Sequence, residues 1–250
     1  MGRGSVTTIE LIERHQLVVV VRTETPERAY EAARAAIKGG VRLVEITFSV
    51  PQAEEVIARL RKDHGNTIPG ASSPEVKPPV GPKIPPLNPL LAKEGTGEVI
   101  IGAGTVLGIQ DARKAIKAGA AYVVSPHVDE EIIRFVKMES AALVSIPGAS
   151  TPTEILNAHR AGGDIIKLFP FVEMGGLSFL KTIRGPLPFI KYMPSGGVTL
   201  ENVGDYLKAR VTGIIVGSAI MKPELLGAGD WTGIEGLARE FVKKVQRLTG

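Results

Sequence analysis

The chain has 250 residues, of which 44% are apolar and 22% charged, a composition typical of globular proteins that bury a sizeable core. Its net charge is +4, but the basic residues are dispersed among acidic ones, which argues against nucleic-acid binding. Without cysteine the chain has no disulfides or thiolate metal sites, and no apolar run approaches the roughly 18 residues of a membrane span. Because the first residues also lack an apolar signal core, we expect a soluble, cytoplasmic protein.

Short apolar runs alternate with helix-length amphipathic segments along the chain. The predicted strands are Leu17–Arg22, Leu43–Phe48, Val99–Ala103, Tyr122–Ser125, Ala142–Ile146, Ile165–Phe169, Phe189–Met193 and Gly213–Val216. The predicted helices that follow them are Pro26–Lys38, Gln52–Lys62, Gln110–Ala118, Asp129–Met138, Thr153–Arg160, Gly176–Ile183, Leu200–Ala209 and Gly233–Arg247. Eight strand–helix pairs in strict alternation predict an α/β fold with a parallel sheet, closed at this chain length into a single-domain (β/α)8 TIM barrel.

Residues 65–97 interrupt this alternation between the second helix and the third strand. The segment holds eight of the chain's eighteen prolines and no aromatic residue, a composition that cannot build a core. We therefore expect a disordered, proline-rich insert that leaves the barrel on the face opposite the carboxyl ends of the strands. Matches to PxxP at residues 82–85 and 86–89 leave open a role as a polyproline ligand for a partner domain.

A lysine lies within the apolar run DIIKLFP, residues 164–170. The run is rich in β-branched and aromatic residues and ends at a proline, a pattern that predicts a buried strand. Because burying an unpaired ammonium is costly, such a site favours the neutral amine, a nucleophile that forms a Schiff base with a carbonyl group. The alternative is that Lys167 reaches the surface or pairs with a carboxylate.

Polar residues cluster where the predicted strands end, which is where parallel barrels gather their functional groups. Side-chain alternation places Leu43, Glu45 and Thr47 on one face of their strand, so Glu45 can share the barrel interior with Lys167. That pair would supply a general base and an amine nucleophile, unless it is a structural ion pair. Further strand-end groups suit one small anionic substrate: Arg22, Thr47, Ser49, Thr105, Ser195, Gly196, Gly197, Gly217 and Ser218.

Two glycine-containing turns follow the seventh and eighth predicted strands. Gly196-Gly197 and Gly217-Ser218 leave backbone N–H groups unobstructed, and phosphate sites after the last two strands recur in many barrels. Ordinary turn chemistry is the alternative. The four histidines lack the spacing of metal ligands and no nucleotide-binding loop is found, so the sequence predicts neither a metal site nor a cofactor.

Seven segments resemble, in order, the motifs of the KDPG/KHG aldolases. They are residues 44–51 (VEITFSVP), 101–106 (IGAGTV), 124–127 (VSPH), 147–154 (PGASTPTE), 166–170 (IKLFP), 194–198 (PSGGV) and 216–219 (VGSA). The resemblance spans about residues 8–248 apart from the insert. It implies a metal-independent, class I, Schiff-base aldolase that assembles as a homotrimer and acts on a small 2-keto acid. The family's substrates are 2-keto-3-deoxy-6-phosphogluconate (KDPG) and 4-hydroxy-2-oxoglutarate (KHG).

The resemblance also implies a role for each candidate residue. Lys167 would form the imine and Glu45 would transfer protons. Thr105 would help to bind the substrate carboxylate, and the two glycine-containing turns would hold the phosphate. Many family members carry an arginine for the carboxylate where this chain has Ser49, and Arg22 could supply that charge instead.

The expected reaction is therefore cleavage of KDPG to pyruvate and glyceraldehyde 3-phosphate through a lysine Schiff base. The alternatives are an aldolase acting on KHG or on 2-keto-3-deoxy-6-phosphogalactonate, a non-lytic phosphate-binding barrel such as an isomerase, and an inactive or engineered assembly scaffold. The intact pair of Glu45 and Lys167 argues against the scaffold.

Overall fold

The structure is a computed structural model that describes residues 6–64 and 98–249. The expected proline-rich insert at 65–97 lies outside the described residues. Within the two described ranges, no helix combines the length and the apolar character needed to cross a membrane.

Parallel strands alternate with helices through the described chain, which confirms the predicted α/β class. The strands are β1 (Leu17–Val21), β2 (Leu43–Thr47), β3 (Ile100–Gly104), β4 (Tyr122–Val124), β5 (Val144–Ile146), β6 (Gly148–Ala149), β7 (Ile166–Leu168), β8 (Tyr192–Pro194) and β9 (Ile214–Val216). The helices are α1 (Thr8–His15), α2 (Pro26–Lys38), α3 (Ala53–His64), α4 (Ile109–Ala118), α5 (Glu130–Glu139), α6 (Pro152–Arg160), α7 (Gly176–Arg184), α8 (Val203–Lys208), α9 (Pro223–Ala228) and α10 (Trp231–Thr249).

The structure adds elements that the alternation did not predict. Helix α1 precedes the first strand and begins with a capping box, in which Thr7 and Glu10 satisfy each other's backbone N–H groups. Helix α9 is a short addition before α10. The predicted fifth strand continues as β6 beyond Pro147, a residue that has no N–H to donate to a sheet.

One predicted strand begins three residues later than expected. The run from Phe189 was predicted as the seventh strand, whereas β8 begins at Tyr192. Phe189 is 59% exposed and its ring lies 5.4 Å from that of His159, so it belongs to the surface rather than to the core.

The strands form two parallel sheets rather than one. The first has the order β5-β4-β3-β2-β1-β9, and the second has the order β6-β7-β8. Backbone contacts link them at two places. The N–H of Lys167 in β7 donates to the carbonyl of Pro147, which lies between β5 and β6, at 2.9 Å. Ser195, just after β8, forms an isolated parallel bridge with Ile215 of β9.

Alternation along the strands divides their apolar side chains between two clusters. One set faces the helices, as Val44 and Ile46 of β2 do. The other set forms an inner cluster: Leu11, Ile12, Val18, Leu43, Ile100, Ala121, Tyr122, Val124, Val144, Ile146, Ile165, Met193 and Ile215. This inner cluster draws residues from both sheets and includes two from α1, which packs at the amino ends of the strands. The carboxyl ends therefore stay available for a site.

Candidate active site

Glu45 and Lys167 lie on the inner face, in the middle of β2 and β7. Glu45 is 1% exposed and Lys167 is 8% exposed. Their neighbours along each strand pack against the helices, as Ile166 and Leu168 do beside Lys167. The predicted alternation is thus observed in both strands. Glu45 and Lys167 also line one cavity of about 470 Å³ at the carboxyl ends of the strands.

Burial dominates the electrostatics of Glu45. It raises the pKa of the carboxyl group above its ordinary value, while the positive charges of Lys167 and Arg22 oppose the shift. Room for the carboxyl group comes from Gly104 on the neighbouring strand, where an added Cβ would lie 1.7 Å from Glu45 Oε1. The other oxygen, Oε2, is buried and has no hydrogen-bond partner among the described residues.

Lys167 points into the cavity beside an aromatic ring. Its Nζ lies 5.0 Å from the centroid of the Phe169 ring, and both residues line the cavity. Lys167 pairs in register with Gly148 of β6, where an added Cβ would lie 2.4 Å from the backbone of Pro126. The missing side chain therefore lets the turn at Pro126 form the cavity wall next to the amine.

Arg22 and Thr105 meet on the cavity wall. The Arg22 guanidinium donates a hydrogen bond of 3.1 Å to Thr105 Oγ1. Thr105 adopts a left-handed backbone with φ of 53°, which is unusual for a β-branched residue and tends to occur at functional sites. A guanidinium beside a hydroxyl group is suited to binding a carboxylate.

Two of the sequence-predicted residues lie away from the cavity. Thr47 is fully buried and its hydroxyl group donates to the carbonyl of Val21 at 3.1 Å, which ties β2 to β1. Ser49 is exposed in the following turn, with its Oγ 3.0 Å from Thr47 Oγ1. Neither residue is among those that line the cavity. His127, a loop residue, lies 4.0 Å from Asp129 and also stays outside the cavity wall.

The two glycine-containing turns are brought together on the cavity wall. Its lining includes all five residues predicted there, Ser195, Gly196, Gly197, Gly217 and Ser218. Gly196 and Gly197 have φ values of 106° and 70°, a backbone that requires glycine. At Gly197 an added Cβ would also lie 2.2 Å from Val172, whereas at Gly217 it would meet nothing within 4 Å.

The carbonyl groups of these turns are held by other parts of the chain. Gly197 O accepts a hydrogen bond of 2.7 Å from Asn202 Nδ2, and Gly196 O accepts one of 3.4 Å from the Tyr206 hydroxyl. Gly217 O accepts from the N–H groups three and four residues later. Fixing the carbonyls in this way leaves the cavity next to backbone N–H groups, an arrangement that suits an anion.

Sequence reasoning missed the glycines that make room for Glu45. Gly102 and Gly104 lie two residues apart on the inner face of β3, and Tyr122 of β4 packs over Gly102. A pair of glycines at that spacing inside a strand indicates a close approach by other groups and is the signal that could have found them. Burial and the charge of Glu45 both raise the pKa of Tyr122 well above its ordinary value.

In residues 6–64 and 98–249, no three His, Cys, Asp or Glu side chains are grouped to hold a metal ion.

A family model and curated relatives both match this chain to the same family. Residues 90–237 match the family model described as KDPG and KHG aldolase. The chain is 30% identical over 227 residues to the KHG/KDPG aldolase of Escherichia coli (strain K12), covering 91% of each chain. It is 28% identical over 240 residues to the 2-dehydro-3-deoxy-phosphogluconate aldolase of Treponema pallidum (strain Nichols), covering 96% of this chain and 98% of that protein.

A solved structure has the same fold. It is the KDPG aldolase from Legionella pneumophila, with pyruvate captured at low pH as a covalent carbinolamine intermediate. The TM-score is 0.73 at 24% identity, with 92% of this chain and 96% of that chain covered. Similarity at this level of identity concerns the fold alone.

Replacing Glu45 with glutamine is expected to stabilise the protein at neutral pH. Because burial raises the pKa of Glu45, the native state holds this proton more tightly than the unfolded chain does. The free energy of unfolding of the parent protein therefore falls as the pH rises above the glutamate pKa of the unfolded chain, about 4.3. The difference in Tm between Glu45→Gln and the parent should be small near about pH 4 and should grow toward neutral pH.

Thermal melts across this pH range make the measurement, and Glu240→Gln, at an exposed position of α10, is the matched control. The control should leave the Tm unchanged at every pH. If Glu45→Gln were less stable than the parent at neutral pH, attraction by Lys167 and Arg22 would outweigh the burial of the carboxylate.

Proposed function

We propose that this chain, which belongs to the KDPG and KHG aldolase family, is a class I aldolase that cleaves KDPG to pyruvate and glyceraldehyde 3-phosphate. The observation that carries the proposal is the pairing of a buried amine, Lys167, with a buried carboxyl group, Glu45, on the wall of one cavity. An amine nucleophile and a proton-transferring group are the two requirements of Schiff-base carbon–carbon cleavage.

In the first stage, the neutral amine of Lys167 attacks the C2 carbonyl carbon of the substrate. Loss of water from the resulting carbinolamine gives an imine, which in its protonated form draws electrons from the neighbouring carbons. Phe169 and Ile215 contribute apolar surface to the cavity that holds this amine.

In the second stage, the carboxylate of Glu45 removes the proton of the C4 hydroxyl group. The C3–C4 bond breaks, its electron pair passes to the iminium as an enamine, and glyceraldehyde 3-phosphate leaves. Protonation of the enamine at C3 and hydrolysis of the imine then release pyruvate and restore Lys167. The raised pKa of Glu45 suits a group that must both take up and return a proton.

The two anionic ends of KDPG match two parts of the cavity wall. Arg22 and Thr105, joined by their hydrogen bond, would receive the carboxylate. The N–H groups of Gly196, Gly197, Gly217 and Ser218 would receive the phosphate. Because Ser49 lies outside the cavity, Arg22 is the side chain that would replace the arginine of other family members.

Two structural expectations are part of the proposal. The first is that both sheets form one closed (β/α)8 barrel, which is supported by their shared inner cluster and by the bridge between Ser195 and Ile215. The second is a homotrimer in the cytoplasm, for which family membership is the support. A crystal structure of the full chain tests the fold and the assembly together: an open sheet edge between β8 and β9, or a monomer in the lattice and in solution, would contradict them.

Lys167 is expected to be the lysine that pyruvate labels in the presence of borohydride, because reduction makes the imine permanent. Peptide mass analysis should find the adduct on Lys167, and Lys167→Ala should abolish both labelling and turnover. Lys167→Arg should fail equally, since a guanidinium stays protonated.

The control is Lys191→Ala, which removes a half-exposed lysine paired with Glu13 at 2.7 Å and should label and turn over normally. An adduct on another lysine would overturn the assignment of Lys167. A parent protein that is not labelled would exclude the Schiff-base mechanism and favour a non-lytic function such as an isomerase.

The parent is expected to prefer KDPG to its dephosphorylated form, mostly in kcat/KM. Gly217→Ala should reduce that preference about tenfold or more, because a methyl group would crowd amides that bind a charged ligand. Gly217 suits the test because an added Cβ meets nothing within 4 Å, so the fold should tolerate it.

Gly236→Ala on α10 is the matched control, since an added Cβ there also meets nothing within 4 Å and Gly236 does not line the cavity. Steady-state kinetics with both substrates make the measurement. Equal rates with and without phosphate in the parent would favour KHG as the substrate, and the galactonate analogue is distinguished by direct competition with KDPG.

A further inference from the structure

One row of inner-face positions runs across three neighbouring strands. Glu45 of β2 pairs in register with Gly102 of β3. Strands β3 and β4 are in register at Ala103 and Val123. Tyr122, one residue before Val123, therefore lies beside Gly102, one residue before Ala103. Side chains of register partners in parallel strands point to the same face, so the carboxyl group and the phenol share the inner face across a glycine.

Both side chains lean over β3. An added Cβ at Gly102 would lie 2.3 Å from Tyr122 Cζ, and one at Gly104 would lie 1.7 Å from Glu45 Oε1. Inner-face positions two residues apart on a strand are separated by about 7 Å. A small side-chain rotation or one bridging water would join the phenol oxygen to the carboxylate across that gap.

One oxygen of the carboxyl group and the phenol oxygen both lack a hydrogen-bond partner among the described residues. Tyr122 Oη and Glu45 Oε2 are buried and form no hydrogen bond in the described part of the chain. Buried polar atoms are nearly always paired, and these two are complementary, since a phenol donates and a carboxylate accepts. The rest of the inner cluster is apolar, so packing alone gives no reason for a hydroxyl group at this position.

We propose that Tyr122 is a positioning residue, whose hydroxyl group donates a hydrogen bond to the Glu45 carboxylate and holds it in the form that accepts the substrate's proton. This inference rests on the proposed function, since it concerns the same carboxyl group.

The charges that face Glu45 agree with this role. Lys167 from β7 and Arg22 from the end of β1 both favour the carboxylate, against the effect of burial on its pKa. The pKa of Tyr122 is raised well above its ordinary value by burial and by the charge of Glu45. The phenol therefore stays protonated when Glu45 is ionised, and it remains a donor throughout the working pH range.

The test is Tyr122→Phe, which removes only the hydroxyl group. A hydrogen bond donated to a carboxylate stabilises the ionised form, so its loss should raise the pKa of Glu45. The acid limb of the pH profile of kcat/KM should then move to higher pH by about one unit. On that limb the rate should fall about tenfold, while KM on the high-pH plateau should stay within about threefold.

Tyr192→Phe is the matched control. Tyr192 is equally buried, but its hydroxyl group donates to the carbonyl of Leu187 at 3.1 Å and it packs on the helix side of the strands. Removing that hydroxyl group should lower the Tm and leave the acid limb in place. A structural loss is thereby separated from an effect on proton transfer.

A second measurement reads the same carboxyl group without turnover. In full-length protein labelled with ¹³C-glutamate, the carboxyl resonance of Glu45, assigned by its loss in Glu45→Gln, should titrate at higher pH in Tyr122→Phe than in the parent. Replacing Tyr122 with difluorotyrosine, a stronger donor, should move the titration to lower pH.

The proposal is overturned if neither Tyr122→Phe nor the difluorotyrosine replacement changes the pH at which Glu45 titrates, and if Tyr122→Phe raises the Tm. That result would show that the Tyr122 hydroxyl group is unpaired. Borohydride labelling of Lys167 should persist in Tyr122→Phe. Failure of the proposed function would instead appear as an unlabelled parent, while the ¹³C titration would still decide whether Tyr122 and Glu45 interact.

Discussion

Burying a carboxyl group and an amine in the same interior is the constraint on which the rest of this structure depends. Either group alone would be costly in an apolar core, and both are largely buried on the inner face. Parallel strands make the arrangement possible because every second side chain points inward. Glu45 and Lys167 can therefore be buried while the residues beside them still pack against the helices. Helix α1 packs at the amino ends of the strands, and the two groups share the cavity at the carboxyl ends.

The space for the carboxyl group comes from two positions of β3 that have no side chain, Gly102 and Gly104. Glycine inside a strand weakens it, since it packs no side chain and loses more freedom on folding. Strand β3 carries two, yet it pairs with β2 over five consecutive positions, from Leu43–Ile100 to Thr47–Gly104. That continuous ladder holds β3 in place although two of its three inward positions have no side chain, Ile100 being the third. Glu45 and Tyr122 fill the volume that Gly102 and Gly104 leave open.

Several elements of this fold could be predicted from short stretches of sequence, whereas elements that depend on packing between distant segments were missed. Helix α2 was predicted with its observed bounds because Thr25 caps it and Pro26 fixes its first turn. Helix α1 was missed because it precedes the first strand and so has no place in the strand–helix alternation. The burial of Leu11 and Ile12 against the strands stabilises it. Its capping box was present in the sequence as a weaker signal.

The candidate site was predictable to the extent that it depends on strand periodicity. Period-two alternation was enough to put Glu45 inside, and the resemblance of short motifs suggested which amides accompany it. Thr47 has the same alternation, but its hydroxyl group bonds to Val21 on the next strand, a contact between distant segments that no spacing reveals. The association of the two sheets is equally non-local, because it depends on how β8 meets β9 and not on the composition of either strand.

The groups proposed for bond breaking and the groups proposed for substrate recognition lie in different parts of the fold. The groups proposed for bond breaking, Glu45 and Lys167, sit inside strands whose register is fixed on both sides. The groups proposed for recognition are backbone amides in turns and the Arg22 side chain beyond β1. Substitutions in the turns can change which anionic end is bound without moving the nucleophile or the base. Such a physical separation would let one reaction mechanism act on different anionic 2-keto acids.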